Sequence, residues 1–390
     1  MIKNMYICAM RKYYVFAAAA LVVLAACQKK GSEVAEEKPF VPEWLTDESL
    51  PVPIQFCGQD IETKGTAIDG TIFGSSTFRY AVLAVNKDSG DIMDGFSGGV
   101  LAKNVAGSGE LSAAALMTEF INGPLYYPYM YSQGQFNFYG YRTSDVIDQG
   151  TLPTLSGTSI NGIAIGQTDI LYAAAVADSE KEDAATTAYN AKRSGTGTAK
   201  GFSAKYIRGA RYASSPGDVF SSATFITFLP KFTFAHKTSQ FIFHVKTVDA
   251  DAATSLNAAG VTVSSITVSG VPTSASLNLV TGVLSGSGSA GSVSVTAPTT
   301  FILNATGDTW GQPIFLLPGT SNITFTMNLS LPNNITGTVT QTLSPPDENG
   351  FLAGKAYRFT VILQGIEEVK IVTELTDWGT PIEAGNVEFD

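Results

Sequence analysis

The chain has 390 residues, with 24 Lys and Arg against 34 Asp and Glu, for a formal net charge of −10. That balance, with no basic cluster outside the N-terminal region, excludes a nucleic-acid binder, because a phosphate backbone recruits clustered Lys and Arg. Hydrophobic residues make up 44% and charged ones only 15%, so the bulk is too apolar for disorder; two histidines and three cysteines leave little material for a metal centre, and no metal or cofactor is expected.

Residues 1–26 read as a signal peptide. Lys3, Arg11 and Lys12 form a basic start, and an apolar run from Val15 to Ala26 follows. That run is shorter than the roughly 20 residues needed to span a bilayer, and it ends in small residues. Met10 begins a normal signal of its own, so Met1 and Met10 are both candidate starts. Cys27, placed directly after Leu24-Ala25-Ala26, resembles a bacterial lipobox cysteine, which is acylated and becomes the mature N-terminus. Palmitate-type lipidation at Cys27 would anchor the chain to outer-membrane lipid. Removing residues 1–26 leaves 21 bases against 34 acids, net −13. Cys8 then lies in the signal and Cys27 under lipid, which leaves Cys57 without a partner and the protein without a disulfide framework.

Residues 27–51 are polar and acidic, with Pro39 and Pro42, and read as a lipidated tether. The acidic stretch Ser32–Glu37 fits a surface-export signal or a merely solvated linker. From Val52 the pattern turns to period two. Val52, Ile54 and Phe56 alternate with Pro53, Gln55 and Cys57, which predicts a first strand that buries the first three. Strand-like runs recur at 80–85, 136–141, 225–228, 241–245, 261–263, 266–268, 293–295, 323–327 and 357–363, separated by Gly, Ser, Asn and Pro. Helix-like stretches are few: Leu111–Phe120 and the Ala- and Lys-rich region from Ser179 to Ala213, which reads equally as loop. A boundary near Leu229-Pro230 divides an N-terminal domain, 52–230, from a cleaner β domain, 231–390. The expected class is all-β with minor helix, in sandwich form.

Candidate motifs have simpler readings. Gly286-Ser-Gly-Ser-Ala-Gly291 matches a dinucleotide fingerprint by letter, but a strand-like run follows where a helix is needed, so a hairpin turn is expected. His236 and His244 sit among strand aromatics with no neighbouring Cys, Asp or Glu, and read as hydrogen-bonded strand histidines rather than metal ligands. The tyrosines of Tyr126–Tyr131, with Phe136, Phe138, Tyr139 and Tyr141, form the densest aromatic segment. They could stack on a sugar or pack across strands, and the alternation favours packing. Sequons at Asn304, Asn322, Asn328 and Asn334 reflect a region rich in Asn and Thr.

Several pieces in order resemble the fimbrillin family, the lipoprotein-derived pilins of Bacteroidetes-type fimbriae. They are the lipobox at Cys27, the strand Val52-Pro53-Ile54-Gln55-Phe56 with Thr63-Lys64-Gly65-Thr66 after it, and the Tyr127–Tyr141 segment. Phe232–Lys237 with Phe241–Phe243, and Ala353–Phe359 running to Asp377-Trp378, complete the set. Lys64 stands where arginine is common, and Tyr80–Val85 lacks the family's usual Gly-Val-Phe. The resemblance implies two transthyretin-like β-sandwich domains in tandem, proteolytic processing after Lys64, and polymerisation by strand donation. The first strand and processing segment would then be 52–64. The partners implied are other fimbrial subunits, with a host or glycan ligand, on the cell surface.

The tail through Ile382 to Val387, Glu388, Phe389 and Asp390 has one apolar and one acidic edge when extended. It serves either as the donor strand, through Ile382, Val387 and Phe389, or to finish its own sandwich. The reading is therefore a structural and adhesive fimbrial subunit, not an enzyme. The alternative is a surface glycan-binding outer-membrane lipoprotein that keeps its first strand and does not polymerise.

Overall fold

A computed structural model describes residues 41–57, 59–61, 78–106, 116–128, 134–144, 147, 149–319, 321–331, 333, 335–346, 348–364 and 369–377. Cys27, Lys64, Ile382, Val387 and Phe389 lie outside the described residues. In chain order the first elements are α1 (Glu43–Thr46), β1 (Gln59–Ile61), β2 (Arg79–Asn86), β3 (Val100–Ala106), β4 (Leu116–Phe120) and β5 (Phe136–Arg142). Then come β6 (Leu155–Ser156), β7 (Ser159–Ala164), β8 (Leu171–Ala175), α2 (Ser179–Arg193), α3 (Ala204–Ala213) and α4 (Ser222–Phe225). The later part holds β9 (Phe232–His236), β10 (Ser239–Thr247), α5 (Ala250–Ala258), β11 (Thr262–Asn278), β12 (Val283–Ser294), β13 (Asp308–Thr309) and β14 (Ile314–Leu316). It ends with β15 (Ile323–Leu331), β16 (Ile335–Leu343), β17 (Lys355–Leu363) and β18 (Val369–Asp377).

Three sheets result among the described residues. The first has the order β1-β9-β8-β5-β2-β3-β4, parallel only at β1–β9. The second runs β13-β10-β17-β18, with β14 also on β10 and a parallel β10–β17 pair. The third runs β16-β15-β11-β7-β6. Residues 267–269 of β11 bond both β15 and β12, and residues 274–278 bond both β7 and β12, so β12 occupies the opposite side of β11. The first and third sheets thus combine strands from both sides of residue 230, since β9 joins β8 and β11 joins β7.

Alternation in β2 and β5 feeds two cores. Ala81, Leu83, Val85, Tyr139 and Tyr141 join the core shared with the second and third sheets, where Phe243 packs on Phe325 at 5.5 Å and on Phe359 at 5.5 Å. That is sandwich packing: alternate residues of facing strands interdigitate. Tyr80, Val82, Ala84, Phe136 and Phe138 point the other way, into a core closed by α2, α3 and the segment 52–57. A strand buried on both faces reads as an unbroken apolar run, which is how Tyr80–Val85 reads.

Three local expectations are corrected. Leu111–Phe120 was expected as helix, yet Leu116–Phe120 is strand β4, paired with β3 from Ala102↔Phe120 to Ala106↔Leu116. An Ala- and Leu-rich run suits either state, and sheet pairing decides. Phe225–Phe228 was expected as strand, but it ends α4 and continues as a 3-10 turn over Ile226–Phe228. Ser221 caps that turn through Thr224 N–H, 3.2 Å from its Oγ, and Phe225 and Phe228, three apart, both face the core. The glycine-rich run 286–291 lies within β12 rather than forming the turn, which falls at Leu279–Gly282. The Ser179–Ala213 region is two helices. Asp178 caps α2 by accepting from Glu180 and Lys181 N–H at 2.9 and 3.1 Å, and Ser203 caps α3 by accepting from Tyr206 N–H at 3.1 Å.

Candidate functional site

The segment from Val52 to Cys57 enters the second core as an extended arm. Its sequence explains this: Pro53 favours extended backbone, and the alternating Val52, Ile54 and Phe56 put three apolar side chains on one side. All three are buried, at 2%, 4% and 0% exposure. Phe56 stacks on Phe232 at 4.8 Å and meets Phe138 and Phe120 edge-on at 5.0 and 5.9 Å. Burying three such side chains is worth roughly 5–9 kcal/mol gross, at about 1.5–3 kcal/mol each.

The arm is also bonded through its backbone. Ile54 N–H donates to Leu125 C=O at 2.8 Å, Tyr127 N–H to Val52 C=O at 3.0 Å, and Cys57 N–H to Pro230 C=O at 3.0 Å. Pro53 bridges Tyr126, and β1 then continues the arm along β9, pairing Gln59, Asp60 and Ile61 with Phe232, Thr233 and Phe234. The arm thus fills a groove with backbone partners on both sides. Without it, Leu125 and Pro230 carbonyls and the Tyr127 N–H lose partners, and buried backbone groups do not go unpaired cheaply.

The last part of the expected tether is folded. From residue 41 it turns through α1, with Leu45 1% exposed. Arg208 of α3, 3% exposed, donates from Nη2 to the carbonyls of Asp47 and Leu50 at 3.1 and 2.7 Å. Glu48 accepts from Arg193 Nη2 at 2.9 Å and from Tyr189 O–H at 3.1 Å. This clasp precedes the arm and fixes where it enters. No sequence signal pointed to it, because Arg208 lies about 160 residues away.

Beside the arm's end lies a cavity of about 430 Å³, lined among others by Cys57, Ala175, Lys181, Tyr206, Phe228 and Lys231. Cys57 donates its thiol to Ile226 C=O at 2.6 Å. Burial pushes that thiol up to about 11, with Lys231 and Lys181 pulling the other way. It is therefore a neutral packing group. Lys181 donates to Thr227 C=O and lies over the Phe228 ring.

His236 is a buried strand histidine, as the sequence suggested, but its partner was not foreseen. Nδ1 lies 2.5 Å from Asp169 Oδ2, and Thr238 O–H donates to Asp169 Oδ1 at 3.0 Å. Asp169 is 67 residues away in sequence, so no local motif could reveal it. The trio ties β9 to the turn before β8. Among the described residues no group of His, Cys, Asp and Glu is placed to hold a metal. Of the aromatic segment, Tyr127, Phe136, Phe138, Tyr139 and Tyr141 are all buried, and Tyr126 is 44% exposed; Tyr129 and Tyr131 lie outside the described residues. Cross-strand packing accounts for the buried ones, not a sugar platform.

A family model described as fimbrillin-like matches residues 212–378, from the end of α3 through β18. That match covers less than half of the chain, and over those residues the chain is similar to the fimbrillin-like family. No curated protein matches it by sequence. Among solved structures it is similar to a candidate cell adhesion protein of Bacteroides ovatus, 15% identical over 85% of this chain and 100% of that one, with a TM-score of 0.45. A candidate cell adhesion protein of Bacteroides uniformis is 14% identical, over 85% and 98%, with a TM-score of 0.44. The fimbrial anchor protein Mfa2 of Porphyromonas gingivalis is 11% identical, over 84% and 98%, with a TM-score of 0.34.

Proposed function

We propose that this chain is a structural, non-enzymatic subunit of cell-surface fimbriae that assembles with other fimbrial subunits: it is exported as a lipoprotein through Cys27, processed after Lys64, and polymerised by strand donation. The observation that carries the reading is the arm: three core side chains and its backbone bonds belong to a segment that precedes Lys64. Cutting after Lys64 and releasing residues 52–64 opens a groove lined by Phe120, Phe138 and Phe232, flanked by the 125–127 backbone and the edge of β9. Such a groove favours any extended segment that restores both the apolar fill and the backbone bonds, which is β-augmentation. The tail 382–390 of the next subunit is the donor, with Val387 and Phe389 entering at the spacing of Ile54 and Phe56. Donation from one subunit to the next is head-to-tail and does not close, so it builds a filament. Until processing, Cys27 holds the precursor in outer-membrane lipid. The finished fimbrium carries whatever adhesion ligand the subunit binds.

N-terminal sequencing of the surface form tests the cut, and a mature chain starting at Gly65 is expected. A surface form that retains Val52–Phe56 would overturn both the cut and the groove.

A further inference from the structure

Sheet edges are open to any strand that can bond their free N–H and C=O groups, and proteins close them by shortness, charge, bulges or cover. Among the described residues, most edges here are closed in those ways. β1, β6, β13 and β14 run for only three, two, two and three residues. β4 carries Glu119, paired with Lys103 at 3.1 Å, and β18 contains Lys370, Glu374 and Asp377. β12 is interrupted by register shifts against β11 near Gly270 and Thr273.

Among the described residues β16 has none of these protections. Its nine residues pair one-for-one with β15, from Ile335↔Leu331 to Leu343↔Ile323, without a bulge. The strand Ile-Thr-Gly-Thr-Val-Thr-Gln-Thr-Leu holds no charge and no proline. Its inner face is unfinished: Ile335 is 57% exposed, and Val339 is only partly buried against the core.

We infer that β16 pairs antiparallel with β16 of a second copy of this chain, about a two-fold axis through Val339. Two features favour a second copy over a foreign strand. The first is charge. The chain is net −10, yet Asp308 is the single charged residue between Ala252 and Pro346. Two acidic copies therefore meet at β16 without bringing charge against charge. The second is self-complementarity. In the two-fold register Thr336 faces Thr342 of the second copy and Thr338 faces Thr340, all on the outer face, where Thr–Thr pairs are favourable. On the inner face Ile335 faces Leu343 and Val339 faces its own mate, which covers the half-open apolar end. An isologous contact of this kind closes after two copies. It is distinct from strand donation and does not depend on it, because it uses the third sheet rather than the groove at 52–57.

Sedimentation equilibrium on the purified full chain tests the interface. A dimer is expected. Thr336 and Thr342 are exposed and, among the described residues, make no side-chain bond, so Thr336→Lys with Thr342→Lys should leave the melting curve intact. Like charges directly opposite should raise the dimer dissociation constant at least about tenfold. Thr336→Lys with Thr342→Glu places opposite charges across the axis and should restore it. Independently of those variants, Val339→Cys should give a disulfide-linked dimer under mild oxidation, while Val283→Cys on β12 should not. A full chain that stays monomeric at every soluble concentration overturns the inference. So does a dimer indifferent to the paired lysines, or failure of Val339→Cys to cross-link. A chain that dimerises only after residues 378–390 are deleted also overturns it, and assigns the edge to its own tail.

Discussion

Phe56 touches three rings that belong to three different strands, β4, β5 and β9. Phe56→Ala in the unprocessed chain should therefore cost about 3–5 kcal/mol in urea denaturation, the usual range for emptying a packed phenyl site. A loss below about 1 kcal/mol would mean the arm is not an integral part of that core. Cys57 offers a pH-dependent companion. Burial raises its thiol from the ordinary 9.0 to about 11, so the folded state keeps a proton that the unfolded chain releases. The resulting stability is complete below about pH 9 and is lost as pH rises towards 11. The stability difference between wild type and Cys57→Ser should shift in the destabilising direction for wild type across that window. Tyrosine ionisation cancels in the difference, and a flat difference from pH 8 to 11 would contradict the burial.

At the scale of elements, two contacts around α3 decide whether the helical layer closes the second core. Gly209 faces Ala185 of α2 so closely that an added Cβ would lie 2.3 Å from the Ala185 carbonyl oxygen. The helices cross at this point because no side chain intervenes. Gly209→Ala should push them apart and cost about 1–3 kcal/mol by overpacking, despite alanine's better helix propensity, and thermal melting reads the sign. An unchanged or raised melting temperature would show that the helices yield freely. On the other side of α3, Arg208 holds the clasp through two backbone carbonyls. Lysine keeps the charge but not the planar fork, so Arg208→Lys should loosen residues 41–51. Chymotrypsin should then cut at Trp44 or Leu45 faster than in wild type, and equal rates would remove Arg208 from that role.

For the whole molecule, processing and assembly make linked demands on composition. A cut after Lys64 removes Cys57 along with Cys27, so denatured purified fimbriae should contain no thiol. One reactive thiol per subunit would place the cut upstream of Cys57. Deleting Glu383–Asp390 should leave an exported, folded monomer with near-normal melting and no laddered polymers. Polymers from the truncated chain would place the donor elsewhere, and loss of folding would give the tail to its own subunit. Cys27→Ala should abolish fatty-acid labelling and surface display together.

Period-two apolar patterning already specified much of this chain: the β class, the burial of Val52, Ile54 and Phe56, and the two faces of Phe136–Tyr141. Local chemistry specified the helical insert only in part: its Ala- and Lys-rich composition suits helix or loop, and the caps Asp178 and Ser203 are what set the two helices. These features are carried by residues close in sequence, so one strand or turn suffices to express them. What tertiary structure decided rests on residues far apart. Only sheet pairing made Leu116–Phe120 a strand, and only a core waiting on one side turned Phe225 and Phe228 into a helical face. Asp169 under His236, Arg208 on the clasp, and the mixing of strands across residue 230 have no local signature, because each depends on chain segments brought together by folding. The free edge of β16 is of the same kind. Its uncharged threonines are plain in the sequence, but a strand becomes an edge only when the sheet around it has run out of neighbours.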